Sequence, residues 1–157
     1  MTRGELEKNG ELLAYVVAGR ADVTLENERT GGRFTFRVSA PSKDTERGGV
    51  VRDLDAPVRF VKVLTGADNE GDFTFLGTIF LKKGREYRAG RKSRISAEAP
   101  SARAWAWFWG RLSSGRVLPE ELHVYHEGRC GRCGRKLTVP ESVRTGFGPE
   151  CRDKVGL

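Results

Sequence analysis

Three cysteines stand within 22 residues of one another and nowhere else in the chain: Cys130, Cys133 and Cys151. Two thiolates with two residues between them close on one ion because the intervening backbone curls. The small residues Gly131 and Gly134 ease that curl. Cys151 offers a third sulfur. It follows Gly146-Phe147-Gly148-Pro149, a turn that should open a short helix with Pro149 near its first position. The positive end of such a helix favours a thiolate. A redox pair fits less well, because a Cys-x-x-Cys of that kind opens a helix, whereas this one follows a strand pattern. A disulfide belongs to oxidising compartments. Zinc bound by thiolates is the chemistry that this spacing favours.

Zinc takes four tetrahedral ligands, so one more donor is needed. A treble-clef finger would place it one helical turn after Cys151, where this chain has Lys154, whose positive charge excludes it. The remaining donors nearby are His126, His123, Asp153 and Glu150. His126 lies four residues before Cys130, on the strand that feeds it. His123 should point to the opposite face, since strand side chains alternate. The expected site is therefore one closed, structural Zn2+ held by Cys130, Cys133, Cys151 and His126. Arg129, Arg132, Arg135 and Lys136 would offset its net charge of about −1.

The net charge of +7 on 157 residues is uneven. From Lys82 to Arg94, seven cations (Lys82, Lys83, Arg85, Arg88, Arg91, Lys92 and Arg94) face one acid, Glu86. Such a stripe attracts phosphates through counterion release. Trp105, Trp107 and Trp109 raise the prospect of a base-stacking platform. At helical spacing most should pack a core instead. Trp107, off both apolar stripes, is the one expected at the surface, and Tyr87 lies within the basic stripe.

The elements that must position these residues are read from periodicity. Residues 2–18 read as an N-terminal helix, with Thr2 as cap, Glu5 as its capping-box partner and Gly19 as stop. The period then changes to two. DVTLENE and RFTFRVS flank RTGG, and Val58–Gly66 and Phe73–Leu81 flank ADNEGD, giving two hairpins. A fifth strand is expected within Arg85–Ile95. Pro41–Pro57 is charged and aperiodic and reads as a long exposed loop. APSARAWAWFWGRLSSG reads as a helix opened by Pro100 or Ser101 and closed by Gly115. ELHVYHEG reads as a short strand with Leu122, Val124 and His126 on one side. The expected class is α+β: an antiparallel sheet of four to six strands, an N-terminal helix, an aromatic helix and a C-terminal treble-clef-like zinc finger. The expected division is residues 1–117 as the α+β domain and 118–157 as the finger.

The combined pattern of Cys130, Cys133, Gly134, Arg135, Leu137, Thr138, Pro140, Ser142, Gly146, Gly148, Pro149 and Cys151 resembles a small zinc-finger family common in proteins of phages and other mobile elements. The family is similar in shape to a treble clef. The resemblance covers about 26 of 157 residues. It implies a zinc-binding protein of mobile-element origin and no particular activity.

Other chemistries lack their residues. There is no phosphate-binding Gly-x-x-x-x-Gly-Lys loop, no dinucleotide fingerprint and no nucleophile elbow. Two histidines leave little for nucleophilic catalysis. Asp53/Asp55 and Asp68/Asp72 fall in expected turns, where Asp bonds the local backbone, and a two-metal nuclease needs more converging carboxylates. No apolar run reaches membrane-spanning length, the start is not a secretory signal, and the thiols suit a reducing host-cell cytoplasm. The expectation is a non-enzymatic nucleic-acid-binding protein, for DNA or RNA, acting through Lys82–Arg94 with help from Arg132, Arg135, Lys136, and Tyr87 or Trp107. The alternative is a phage-encoded protein-interaction module that inhibits a host or defence complex, for example a CRISPR-type nucleoprotein. Neither needs a membrane or a small-molecule substrate.

Overall fold

In the computed structural model, residues 4–155 are described except 69 and 9. Thr2, expected as a helix cap, lies outside them. The chain runs β1 (Gly4–Glu5), α1 (Gly10–Val16), β2 (Arg20–Asn27), β3 (Arg33–Ser39), β4 (Ser42–Asp44), β5 (Val50–Arg52), β6 (Val58–Leu64), β7 (Phe73–Phe80), β8 (Glu86–Ala89), α2 (Pro100–Ser113), β9 (Leu122–His126), α3 (Pro140–Thr145) and α4 (Pro149–Lys154). The class is α+β. One seven-stranded antiparallel sheet has the order β1-β9-β2-β3-β6-β7-β8, and β4-β5 forms a separate two-stranded ribbon. No helix among the described residues is long and apolar enough to cross a membrane.

The alternating patterns form the strands expected of them. β2 pairs with β3, and β6 with β7. Between β2 and β3 the Asn27 side chain accepts the N–H groups of Arg29 and Thr30 (2.9 and 3.1 Å), a local bond typical of turn asparagines. His126, Val23, Phe36 and Val63 stand opposite one another on four adjacent strands, each at most 2% exposed. On the other face, Asp22, Arg37, Lys62 and Phe75 form the parallel row. α2 covers the buried row. Pro100 starts it, and Ala102, Trp105, Phe108, Trp109 and Leu112 turn inward at helical spacing. Trp105 meets Phe36 (centroids 5.1 Å apart), Tyr87 and Trp109.

Three expectations change. The N-terminal helix is confined to Gly10–Val16, and Glu5 caps nothing: Gly4 and Glu5 pair with His126 and Tyr125 as a sheet edge. A Cβ at position 4 would collide with the His126 ring and the Val143 carbonyl, so a side chain there would push this edge away. Pro41–Pro57 contains a hairpin whose six strand residues are all exposed, which leaves no apolar alternation to read. The fifth strand is only Glu86–Ala89.

The boundary expected between residues 117 and 118 does not separate two cores. β9 lies between β1 and β2 inside the main sheet, and Cys130, Leu137, Phe147 and Cys151 join the same buried cluster as Val23 and Trp105. A buried cation also ties the elements together. Arg59, 4% exposed, donates to the carbonyls of Val17, Leu54, Ala56 and Val58 at 2.9–3.0 Å. This joins the end of α1 to the turn before β6.

Candidate metal centre

Strand β9 delivers the chain to the cysteines. At Gly128 the backbone turns (φ 91°), and residues 129–136 fold back on themselves through the bridge between Arg129 and Lys136. Cys130 N–H donates to the Arg135 carbonyl (2.8 Å) and Gly134 N–H to the Cys130 carbonyl (2.9 Å), which makes the knuckle. α3 and α4 then bring Cys151 up to it. Gly148 precedes α4 and Pro149 opens it, as the sequence suggested. Possible ligand atoms of Cys130, Cys133 and Cys151 all lie within 4.8 Å of one another. Tetrahedral zinc with metal–sulfur bonds of about 2.3 Å needs sulfurs about 3.8 Å apart. Small side-chain adjustments would reach that spacing, so the trio fits a thiophilic metal.

The surroundings favour thiolate at one position and resist it at another. Burial pushes the Cys130 thiol up, but N–H groups of Cys133, Gly148 and Arg132 outweigh it and hold the thiol below its ordinary value. Cys151 is pushed up to about 11, first by burial; the nearby Arg132 guanidinium (Nη1–Sγ 3.7 Å) works against this, and the negative Cys130 adds to it. A cation at the centre would remove that conflict, because it favours deprotonation of all three sulfurs. Cys130 and Cys151 are buried and Cys133 is exposed, so the trio opens to solvent on the Cys133 side.

His126 is not with the thiols. It is fully buried, its Nδ1 accepts the Gly128 N–H (2.9 Å) and its Nε2 donates to the Val143 carbonyl (2.5 Å). Both ring nitrogens are therefore used, and burial lowers its pKa. Strand alternation correctly turned His126 inward, but what waits there is the Val143 carbonyl of α3 and not the cysteine trio. His123 sits on the other face between Glu5 (2.6 Å) and Glu28 (2.8 Å). Asp153 and Glu150 are exposed on α4. Among the described residues, no His, Asp or Glu joins the three cysteines as a fourth ligand.

Tyr15 holds the knuckle in place, a role that no motif around it announces. Its ring is 1% exposed and packs edge-on to Phe147 (5.6 Å). A Cβ on Gly131 would come within 2.5 Å of the ring, and one on Gly146 within 2.8 Å. Gly146 also has φ 80°, a left-handed angle that favours glycine. The hydroxyl donates to the Asp22 carbonyl (3.2 Å), so one ring ties α1, β2 and both halves of the cysteine segment together.

The candidate contact residues do not share one place. Lys82, Lys83, Arg85, Arg88, Arg91, Lys92 and Arg94 are exposed around β8, at one edge of the sheet. Arg135 and Lys136 are exposed on the knuckle, near the other edge. Five strand steps separate β8 from β9, roughly 24 Å. Arg132 leans on Cys151. Tyr87 faces α2 and packs on Trp105, and burial pushes its pKa to about 12, so it is a core residue and no stacking platform. Trp107 is 40% exposed, with Arg111 over its ring at 5.2 Å. Asp68 and Asp72 serve their own turn, with Asp72 accepting the Asp68 N–H, while Asp53 faces Lys43.

A family described only as of unknown function (DUF6011) matches residues 120–156, the segment of β9, the knuckle, α3 and α4. That is well under half of the chain, and the description carries no activity and no source. No curated protein and no solved structure matches the chain.

Proposed function

We propose that Cys130, Cys133 and Cys151 hold one structural Zn2+, and that the protein is a non-enzymatic nucleic-acid-binding protein. The cluster of three sulfurs carries the first part. With His126 engaged elsewhere, the fourth coordination position belongs to water or to a donor from outside the described residues, on the exposed Cys133 side. When bound, the metal would supply a fixed cross-link between the knuckle and α4. Elemental analysis of protein purified without chelator tests it: about one zinc per chain is expected, and less than about 0.3 would refute the site.

The exposed cations of residues 82–94 support the second part. Binding should weaken steeply with salt, with the slope falling when Lys82, Lys83 and Arg85 are changed together to Gln. A treble-clef-like finger and a mobile-element origin belong to this same proposal. The second reading, a protein-interaction module that inhibits a host or defence complex, draws on Trp107. It stands beside a recess of about 240 Å³ lined by Leu25, Phe34, Ala104 and Leu122. Nuclease-resistant recovery of one protein partner from native cells, with no affinity for free DNA or RNA, would replace the first reading by the second.

A further inference from the structure

α1, α2 and α3 meet the same side of the sheet, and α4 lies beside α1. α2 packs there through Trp105 on Phe36, and α1 through Arg59, which donates to Val17 just beyond the helix. α3 reaches it through Val143 on His126, and α4 is held to α1 by Arg152 and Glu11 (3.6 Å). The opposite side carries no helix among the described residues. An antiparallel sheet with one solvated face should be polar on that face. β6 and β7 depart from this rule. Phe60, Phe73, Phe75 and Phe80 stand there half-buried, with Phe60 and Phe75 edge to face at 6.2 Å.

Cations accompany the rings. The Arg37 guanidinium lies 4.1 Å from the centre of Phe73, and Arg88 lies 5.5 Å from that of Phe80. Lys62 stands between Arg37 and Phe75 in the cross-strand row. The basic stripe is drawn to the same place. Ser93 donates to the Phe75 carbonyl (2.6 Å), and Gly90 lies so close to the Phe75 ring that a side chain there would strike it. Arg91, Lys92 and Arg94 are thereby held beside the aromatic row. Arg20, Arg37 and Arg52 also gather around Asp22, three guanidiniums to one carboxylate. A hollow of about 580 Å³ adjoins Phe73, where Asp22, Glu70 and Glu127 stand with Arg33 and Arg129.

We propose that single-stranded nucleic acid lies across this open face, with bases stacked on Phe60 and Phe75 and phosphates met by Lys62, Arg88 and the 91–94 loop. Rings between cations suit a strand that offers both base faces and phosphates. A duplex keeps its bases stacked on one another and has no use for the rings. This rests on the nucleic-acid reading above and names its surface and its form of ligand. It also accounts for the distance between the two basic edges, since the face lies between them.

The test uses the full zinc-loaded chain and fluorescence anisotropy with labelled dT15 and U15, and with a duplex of the same length. Single strands should bind better than the duplex. Phe60→Leu and Phe75→Leu keep the apolar cover and remove the π face; each should weaken single-strand binding about tenfold, within the range of lost base–aromatic stacks. A 5-bromouracil oligonucleotide should crosslink to peptides of β6 and β7, which needs no variant and stands even if a variant misfolds. Binding that depends on Lys82, Lys83 and Arg85 but ignores both Leu variants, with crosslinks elsewhere, would overturn this surface and leave the nucleic-acid reading intact. No binding of any of the three probes at low salt would overturn both. A dimer in sedimentation that dissociates in the Phe variants would assign the face to a second copy instead.

Discussion

Gly131→Ala isolates the contact that fixes the cysteine knuckle to the rest of the protein. Gly131 lies between two cysteines, and its backbone angle is not in the left-handed region, so alanine meets no conformational penalty there. The cost is steric. The new methyl would sit 2.5, 2.6 and 3.2 Å from three carbons of the Tyr15 ring. That ring is 1% exposed, packed against Phe147 and hydrogen-bonded to Asp22, so it has little room to retreat. Overpacking of this kind costs about 1–3 kcal/mol. With a urea m-value of about 2 kcal/mol/M, the midpoint should fall by about 0.5–1.5 M. In a Tyr15→Leu background the methyl has space, and its added cost should drop below about 0.5 kcal/mol, a coupling of about 0.5 kcal/mol or more. Both variants keep all three thiols, so zinc content should not change. An equal cost for Gly131→Ala in both backgrounds would refute the steric reasoning.

Arg59→Met should cost about 2–4 kcal/mol, because four carbonyls lose their donor and water recovers only part of the turn before β6; thermal unfolding measures it, and a loss under about 0.5 kcal/mol would contradict the role given to it. His123 holds its proton more firmly than a free imidazole: bonds to Glu28 and Glu5 raise its pKa above the ordinary value near 6.5. Its contribution to stability is therefore complete below about pH 6.5 and disappears as pH rises through the raised folded-state value. His123→Gln should flatten stability against pH in that window, and an NMR titration placing His123 at or below 6.5 would contradict the pairing. Cys151→Ser should reduce zinc to under about 0.3 per chain. Chelation of the unmodified protein should speed amide exchange at Val124 and His126 together with residues 130–136, since knuckle and strand are continuous; acceleration confined to the knuckle would show that the two open separately.

Much of the sheet was legible because its strands are half-buried and alternate. β6 does so without a break, and its buried member Arg59 escapes an apolar count because it is charged; backbone carbonyls take the place of water around it. β1 was not legible. Two residues carry no period, and Glu5 in a helix-like context looks like a capping residue. The trio of thiols was readable from spacing alone, and its convergence needed no long-range information beyond a turn and a Pro-started helix. The fourth ligand was not readable, because the direction of a strand side chain says which face it joins and not which element covers that face. Tyr87 illustrates the same limit: its place among cations suggested the surface, whereas its pairing with Ile79 puts it under α2.

The position of β9 has a consequence for the order of events during synthesis. Thr24 and Glu127 are hydrogen-bonded across 103 positions of chain. Until residues 122–126 emerge, the β2–β3–β6–β7–β8 part of the sheet ends in a bare strand, β2, whose outer N–H and C=O groups are free to pair with another molecule. Pairings this distant also form slowly. The metal site closes only once Cys151 has also emerged, 25 residues after His126, and a metal captured then would hold β9 in place at that edge. Metal supply during translation would then bear on how much of the protein escapes aggregation, apart from the stability of the finished fold.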